Sequence, residues 1–210
     1  MTRPLIISDC DEVLLHMVAP FKIWLEASQG VNFTLEGGNF AEALRWQESG
    51  ELLEGPDIWK MLGRFFDTEM DNQEPIAGAV ESINALAEHA DIVILTNLVD
   101  ERREKRAEQL ARVGIHAPVY TNQGPKGPAL NAILEEHGSS RHAFFIDDLP
   151  QHHLSVKEIK PEVVRLHMCG EPMIAGGIDC AHKAGHADAR IDRWAEALPW
   201  LMARMEKEAA

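Results

Sequence analysis

The stretch Leu5–Leu14, with the sequence LIISDCDEVL, constrains the fold of this chain more than any other. Its apolar start is typical of a short buried strand, because isoleucine is β-branched and packs well in a sheet. Two carboxylates, Asp9 and Asp11, come after it with one residue between them. At the carboxyl end of a parallel strand they would lie where α/β folds bind ligands. Their repulsion favours a bound cation such as Mg²⁺, which takes oxygen ligands, although an acidic turn without a cation is the simpler alternative for this stretch alone.

A long insert separates this strand from the next one. No comparable apolar run occurs before residue 91, so about 80 residues intervene, far more than a usual connection between such elements. Helical spacing of apolar residues predicts a helix over His16–Ser28, and glycines punctuate the rest of the insert. We therefore predict an inserted helical subdomain over residues 16–73, with Trp24, Trp46 and Trp59 in its small core.

The second half of the chain alternates between strands and helices. The predicted strands are Ile92–Leu95, Pro118–Tyr120, Ala143–Ile146 and Val163–Leu166, and the predicted helices are Pro75–His89, Asp100–Val113, Lys126–His137 and Ile191–Met205. This alternation indicates right-handed βαβ units, and hence a Rossmann-like parallel sheet with helices on both faces. The predicted core comprises residues 1–15 and 74–210. Charges spaced along Asp100–Val113, including Arg102 and Arg106, look like a solvated helix face.

Polar side chains suited to phosphoryl chemistry come directly after three of the predicted strands and start one helix. They are Asp9 and Asp11, Thr96 and Asn97, Asp147 and Asp148, and Lys126. Because the carboxyl ends of parallel strands share one edge of a sheet, these groups can converge there. The carboxylates suit a magnesium ion, the hydroxyl can hydrogen-bond a phosphoryl oxygen, and the ammonium can offset negative charge.

In their order and spacing these motifs resemble those of the haloacid dehalogenase superfamily, whose members are mostly phosphohydrolases. That superfamily has a D-x-D-x-[TV] motif, a Ser or Thr after the second strand, a Lys, and an acidic pair. Here they read Asp9–Val13 (DCDEV), Thr96, Lys126 and Asp147-Asp148. The resemblance implies a Rossmann-like core, and the insert resembles the helical cap of one large branch.

The resemblance also implies roles for individual residues. Asp9 would attack phosphorus and form an aspartyl-phosphate, while Asp11 would serve as acid and then as base. Mg²⁺ would be held by Asp9, the carbonyl of Asp11, Asp147 and Asp148. The substrate would be bound by Thr96, Asn97, Lys126 and Glu12. Glu12 departs from the family pattern, in which a small residue is common at this position, and this departure bears on substrate choice.

We therefore predict a Mg²⁺-dependent phosphomonoester hydrolase that acts on a small phosphorylated metabolite. The second acidic residue of the first motif, Asp11, separates phosphatases from dehalogenases. Two alternatives stay open at this point. One is a phosphoryl transferase such as a sugar phosphomutase, and the other is a catalytically lapsed fold that binds a protein or ligand.

Charge and composition exclude several other functions. The chain of 210 residues carries 20 basic and 34 acidic residues, for a net charge of −14, so nucleic acid and anionic membranes are poor partners. The start of the sequence does not read as a signal peptide, and we expect a cytoplasmic protein with reduced cysteines. Substrate identity and oligomeric state stay open. The histidine pair His152-His153 is expected at a solvated helix start, and the segment with Cys169, Cys180, His182 and His186 has no familiar zinc spacing.

Overall fold

A six-stranded parallel sheet forms the centre of this computed structural model, which describes residues 3–34 and 42–209. Residues 35–41 of the predicted insert, together with residues 1, 2 and 210, lie outside the described residues. The strands are β1 (Leu5–Ser8), β2 (Val31–Phe33), β3 (Leu44–Trp46), β4 (Asp91–Thr96), β5 (Val119–Thr121), β6 (Ala143–Asp147), β7 (Val164–His167) and β8 (Ala189–Arg190). The helices are α1 (Val18–Trp24), α2 (Gly55–Thr68), α3 (Ala79–Ala87), α4 (Arg103–Arg112), α5 (Gly127–His137), α6 (Pro150–Ile159), α7 (Pro172–Ala175) and α8 (Trp194–Ala209).

The strand order in the large sheet is β5-β4-β1-β6-β7-β8, and every adjacent pair is parallel. This confirms the predicted Rossmann-like α/β class. All five predicted strands of the sheet are present, with ends within one residue of the prediction, whereas the two-residue strand β8 was not predicted. The strand β1 lies between β4 and β6, so the carboxyl ends of these three strands are neighbours.

Side chains of the sheet alternate between two hydrophobic clusters. Ile6 of β1 packs with α3 and α8 on one face, whereas Leu5 and Ile7 pack with α5 and α6 on the other. Because helices cover both faces of the sheet, the sequence of β1 is a continuous apolar run and does not alternate between apolar and polar residues. The described helices include none that is long and apolar enough to cross a bilayer.

The insert contains more than helices. Its helix α1 continues as a π-helical turn over Leu25–Gln29, and β2 and β3 pair antiparallel as a separate two-stranded sheet. Three-residue strands are too short to give a clear period in the sequence. The described part of the insert has its own hydrophobic cluster, against which Trp24 and Trp46 pack. The prediction for Trp59 was wrong, because this side chain is 73% exposed.

The insert is placed over the carboxyl edge of the large sheet. Its hydrophobic cluster also includes Leu98, which lies just after β4, and Cys169 and Ile174, which lie after β7. The chain passes from the core into the insert at residues 14–16, the first crossing segment, and returns to the core at residues 74–76, the second crossing segment. The two segments run side by side, since His16 N donates to Glu74 O at 2.9 Å and Ile76 N donates to Leu14 O at 2.8 Å. Main-chain pairing therefore joins the start and the end of the insert to each other.

One buried indole fixes the last helix to the turn after β1. Trp194 Nε1 donates a hydrogen bond of 2.8 Å to Val13 O, and the side chain is fully buried. Trp194→Phe leaves this carbonyl without a partner, so we expect the free energy of unfolding to fall by about 1–3 kcal/mol. Urea denaturation measures the change. Trp200→Phe in the same helix, where the side chain is only partly buried, is the matched control, and an equal loss in both variants would contradict the importance of this bond.

Candidate active site

Three neighbouring strands deliver polar side chains to the carboxyl edge of the sheet. Asp9 comes directly after β1, Thr96 ends β4 and Asp147 ends β6. The ladder positions them together, because Ser8 is paired with both Ile94 and Ile146, and Asp9 N donates to Ile146 O at 2.8 Å. All three side chains are buried. The structure thus brings together residues that lie far apart in the sequence.

Three carboxylates form a group that fits a metal ion. Asp9, Asp147 and Asp148 each offer an oxygen, and these oxygens lie within 4.8 Å of one another. A donor set of oxygen atoms alone matches the preference of Mg²⁺. Main-chain donors orient two of the carboxylates, since Cys10 N donates to Asp9 Oδ1 at 2.7 Å and Leu149 N donates to Asp147 Oδ1 at 2.8 Å. The residues present therefore fit the predicted magnesium ion.

Lys126 supplies the positive charge of this site. Its Nζ lies 2.7 Å from Asp9 Oδ1 and 2.7 Å from Asp147 Oδ2, and the side chain is fully buried. The lysine immediately precedes α5, and the next residue, Gly127, allows α5 to approach α6 closely. A Cβ atom at Gly127 would stand 2.3 Å from Ser155 O, so only glycine permits this approach. The close approach of α5 to α6 at Gly127 thus helps to place the ammonium between the two carboxylates.

The crowding of charge shifts the pKa values of the site in opposite directions. Burial raises the pKa of Asp9 to about 7, against the pull of Lys126 and with a further push from Asp147. Burial and the neighbouring charges of Asp147 and Asp9 raise the pKa of Asp148 well above its usual range. Burial also opposes ionisation of Asp147, but the Lys126 ammonium holds the pKa of Asp147 below its usual value. Asp147 is therefore the carboxylate that the lysine compensates best.

Two further predicted residues lie at the end of β4. Thr96 Oγ1 is buried and has no hydrogen-bond partner within the described part of the chain. Asn97 Nδ2 donates to Gly124 O at 3.1 Å and lies 3.3 Å from His152 Nε2. An unpaired buried hydroxyl is costly, so a ligand that accepts its hydrogen bond would be favoured.

Asp11 is held by a buried arginine that the sequence pattern did not reveal. Arg106 Nη2 lies 3.0 and 3.1 Å from the two carboxylate oxygens, and Gln73 Nε2 donates to Oδ1 at 2.8 Å. The prediction of a solvated face was wrong for Arg106, which is fully buried. One signal existed, because Arg106 shares the helical stripe of the buried residues Gln109 and Leu110. The guanidinium also donates to Cys10 Sγ at 3.2 Å, so it fixes the turn between the two aspartates.

Glu12 occupies a left-handed backbone conformation, with φ of 62°, where a small residue is common in the haloacid dehalogenase pattern. Such a conformation is unfavourable for a residue with a Cβ. Its carboxylate compensates by accepting hydrogen bonds from Met17 N at 3.0 Å and Val18 N at 2.5 Å, at the start of α1. Its role in substrate binding stays a prediction.

The expectation of solvated histidines after the acidic pair was wrong. His152 and His153 are both buried, and His153 Nε2 lies 2.9 Å from Asp147 O. Burial lowers the pKa of His153 to about 4, which keeps the ring neutral near pH 7. Within the Cys169–His186 segment, Glu171 is the described residue that belongs to a group of candidate metal ligands, together with Glu12 and His16.

Comparisons with known proteins identify the fold. No protein-family model and no curated protein matches the sequence. A predicted phosphoglycolate phosphatase from Haemophilus somnus is 13% identical with a TM-score of 0.67, over 96% of this chain and 99% of that chain. A predicted β-phosphoglucomutase from Thermotoga maritima is 14% identical with a TM-score of 0.65, over 95% and 99%. A predicted hydrolase of the haloacid dehalogenase class from Bacillus subtilis, bound to magnesium, is 16% identical with a TM-score of 0.62, over 94% and 97%. The chain therefore has the fold of the haloacid dehalogenase superfamily, as its motifs predicted.

In the absence of metal, the free energy of unfolding should decrease as the pH rises from about 4 to about 7 through the contribution of Asp9. Folded Asp9 keeps its proton up to about pH 7, whereas the unfolded residue releases it near its usual pKa of 3.8. Between these two pKa values the folded state binds more protons, so each rise of one pH unit favours unfolding by about 1.4 kcal/mol. Asp9→Asn removes this contribution and should flatten the decrease, as measured by urea denaturation in EDTA.

Asp179→Asn is the control for this pH dependence, because Asp179 is exposed and lies outside the site. This control should keep the pH dependence of the wild type. If Asp9→Asn also keeps it, Asp9 does not hold a proton in the folded protein.

The ion pair between Arg106 and Asp11 should contribute strongly to stability. Arg106→Gln leaves a partly buried carboxylate without its cation, so we expect a loss of about 3–5 kcal/mol in urea denaturation at neutral pH. The matched control is Arg112→Gln in the same helix, whose pair with Asp71 is exposed and should contribute less than about 1 kcal/mol. The double variant Arg106→Gln/Asp11→Asn should recover part of the loss, because the unpaired charge is gone. Equal losses in the two single variants would contradict this assignment.

Proposed function

We propose that this protein is a Mg²⁺-dependent phosphomonoester hydrolase that acts on a small phosphorylated metabolite. The observation that carries the proposal is the arrangement of Asp9, Lys126 and Asp147, in which one buried ammonium lies 2.7 Å from both carboxylates. A binding module has no use for so crowded an acidic site, since burying three carboxylates together is costly. The haloacid dehalogenase fold supports the proposal, and neighbours of that fold include predicted phosphatases.

The proposed chemistry assigns the nucleophile to Asp9. When bound by Asp9, Asp147, Asp148 and the carbonyl of Asp11, Mg²⁺ would offset the negative charge of the phosphoryl oxygens. Lys126 keeps one oxygen of Asp9 oriented and offsets its charge, and the other oxygen attacks phosphorus to form an aspartyl-phosphate. The free hydroxyl of Thr96 donates to a phosphoryl oxygen.

Asp11 provides the acid and base of the proposed reaction. It protonates the leaving oxygen in the first step and takes a proton from the attacking water in the second. Arg106 and Gln73 orient this carboxylate, since Arg106 Nη2 lies 3.0 Å from Oδ1 and Gln73 Nε2 donates to the same oxygen at 2.8 Å. Neither contact was predicted from the sequence.

We also propose that residues 16–73 act as a cap that selects the substrate. The insert reaches over the carboxyl edge of the sheet through its contacts with Leu98, Cys169 and Ile174. A cap in this position would exclude bulk water during phosphoryl transfer. It would also contact the part of the substrate that lies away from the phosphate.

Asp9→Asn should abolish Mg²⁺-dependent phosphate release, because the amide cannot act as a nucleophile. A panel of phosphorylated metabolites at neutral pH, with phosphate release as the readout, tests this, and we expect a decrease of about a thousand-fold or more. Asp147→Ala should lower activity and also remove most of the thermal stabilisation by millimolar Mg²⁺. Asp179→Asn is the matched control and should keep wild-type activity.

Near-normal hydrolysis by Asp9→Asn would refute the aspartyl-phosphate route. Transfer of the phosphoryl group within a sugar phosphate, without release of phosphate, would identify a phosphomutase instead. A wild-type protein that binds a metabolite of the panel but neither hydrolyses nor isomerises it would identify a lapsed enzyme.

A further inference from the structure

A second group of potential metal ligands lies where the insert begins. Glu12, His16 and Glu171 each offer a ligand atom, and these atoms lie within 4.8 Å of one another. We call them the Glu–His–Glu cluster. Glu12 belongs to the turn after β1, His16 precedes α1, and Glu171 precedes α7. None of the three belongs to the Asp9, Asp147 and Asp148 group described above.

Each glutamate of the cluster uses one oxygen to accept a main-chain hydrogen bond at a helix start, and its other oxygen makes no main-chain contact of this kind. Glu12 Oε1 accepts from the main chain at α1, and Glu171 Oε1 accepts from Met173 N at 2.9 Å. Glu171 Oε2 lies 2.8 Å from His16 Nδ1. Glu12 is only 2% exposed, and its Oε2 has no hydrogen-bond partner among the described residues.

The cluster lacks a compensating cation. No described lysine or arginine forms a salt bridge with Glu12 or Glu171. A buried carboxylate oxygen without a donor or cation is expensive to maintain, so a cation at this position would relieve the cost.

We propose that Glu12, His16 and Glu171 bind a second divalent cation, of the transition-metal class. One imidazole nitrogen with two carboxylates suits Mn²⁺, Co²⁺ or Zn²⁺ better than Mg²⁺, which prefers oxygen alone. The ion takes the place of the proton between His16 and Glu171 and gives Glu12 Oε2 its partner. His16 is partly exposed, so the ion can enter from solvent.

The position of this site gives it a structural consequence. Glu12 and Glu171 come from the core, while His16 starts the insert beside Glu74 at the second crossing segment. A bound ion fastens the first crossing segment to the loop after β7. It therefore stabilises the insert in its observed position relative to the core.

Titration of metal-free protein with Mn²⁺, with the electron paramagnetic resonance signal of free Mn²⁺ as the readout, counts the sites. We expect two ions per chain for the wild type, one for His16→Gln, one for Asp147→Asn and none for the double variant. Glu171→Gln is a second test, because glutamine can still accept the hydrogen bond from Met173 N. His89→Gln, an exposed histidine at a distant helix end, is the matched control and should keep two sites.

The variants also separate this inference from the proposed function. Far-UV circular dichroism establishes that each variant is folded before titration. One wild-type site that disappears in Asp147→Asn and survives in His16→Gln and Glu171→Gln overturns the second site. One wild-type site that survives in Asp147→Asn and disappears in His16→Gln and Glu171→Gln supports the second site and counts against the proposed magnesium site. Two sites that both survive in His16→Gln and Glu171→Gln also overturn the assignment of ligands.

Discussion

The ammonium of Lys126, buried between Asp9 and Asp147, is the interaction on which the rest of this site depends. Three neighbouring parallel strands bring polar side chains, most of them acidic, to one edge, and the repulsion of buried carboxylates would oppose folding. The lysine offsets that repulsion only because Gly127 lets α5 approach α6 to within a distance that no Cβ would tolerate. Charge placement at the site therefore depends on the packing of two helices behind it.

A second buried cation, Arg106, acts on the same turn from another helix. The turn carries Asp9 and Asp11 in alternate positions, and each carboxylate meets its own cation, Lys126 from the start of α5 or Arg106 from α4. The arginine also lies over the ring of Phe66, with 5.6 Å between its guanidinium carbon and the ring centroid, so it contacts the insert as well as the core. The position of Asp11 is consequently coupled to the packing of the insert, and this coupling would connect the position of the proposed cap to the acid–base chemistry proposed for Asp11.

The sequence predicted the features that depend on local pattern and on topology. Apolar runs located the strands of the large sheet, and parallel topology then implied that Asp9, Thr96 and Asp147 meet at one edge. The features that it did not predict depend on tertiary contact. Arg106 shares a helical stripe with the buried residues Gln109 and Leu110, but the sequence does not show that α4 packs against Asp11, and this contact buries the guanidinium. The strands β2 and β3 are too short to show an alternation of apolar and polar residues. His152 and His153 are buried because α6 packs against the sheet, and the residues around them in the sequence do not indicate this packing.

Glu12 keeps an unfavourable backbone conformation because its carboxylate and carbonyl accept hydrogen bonds from neighbouring main-chain groups. A left-handed conformation in a residue with a Cβ costs on the order of 1 kcal/mol, and burial of the carboxylate adds to that cost. The main-chain donors at the start of α1 offset part of it, and Gly170 N also donates to Glu12 O at 2.6 Å. Glycine at position 12 would relieve the strain but would remove the carboxylate that joins the turn of Asp11 to the start of the insert. Conformational strain at Glu12 therefore accompanies the connection between the turn that carries Asp9 and Asp11 and the start of the insert, and a substitution that relieves the strain by removing the carboxylate would weaken that connection.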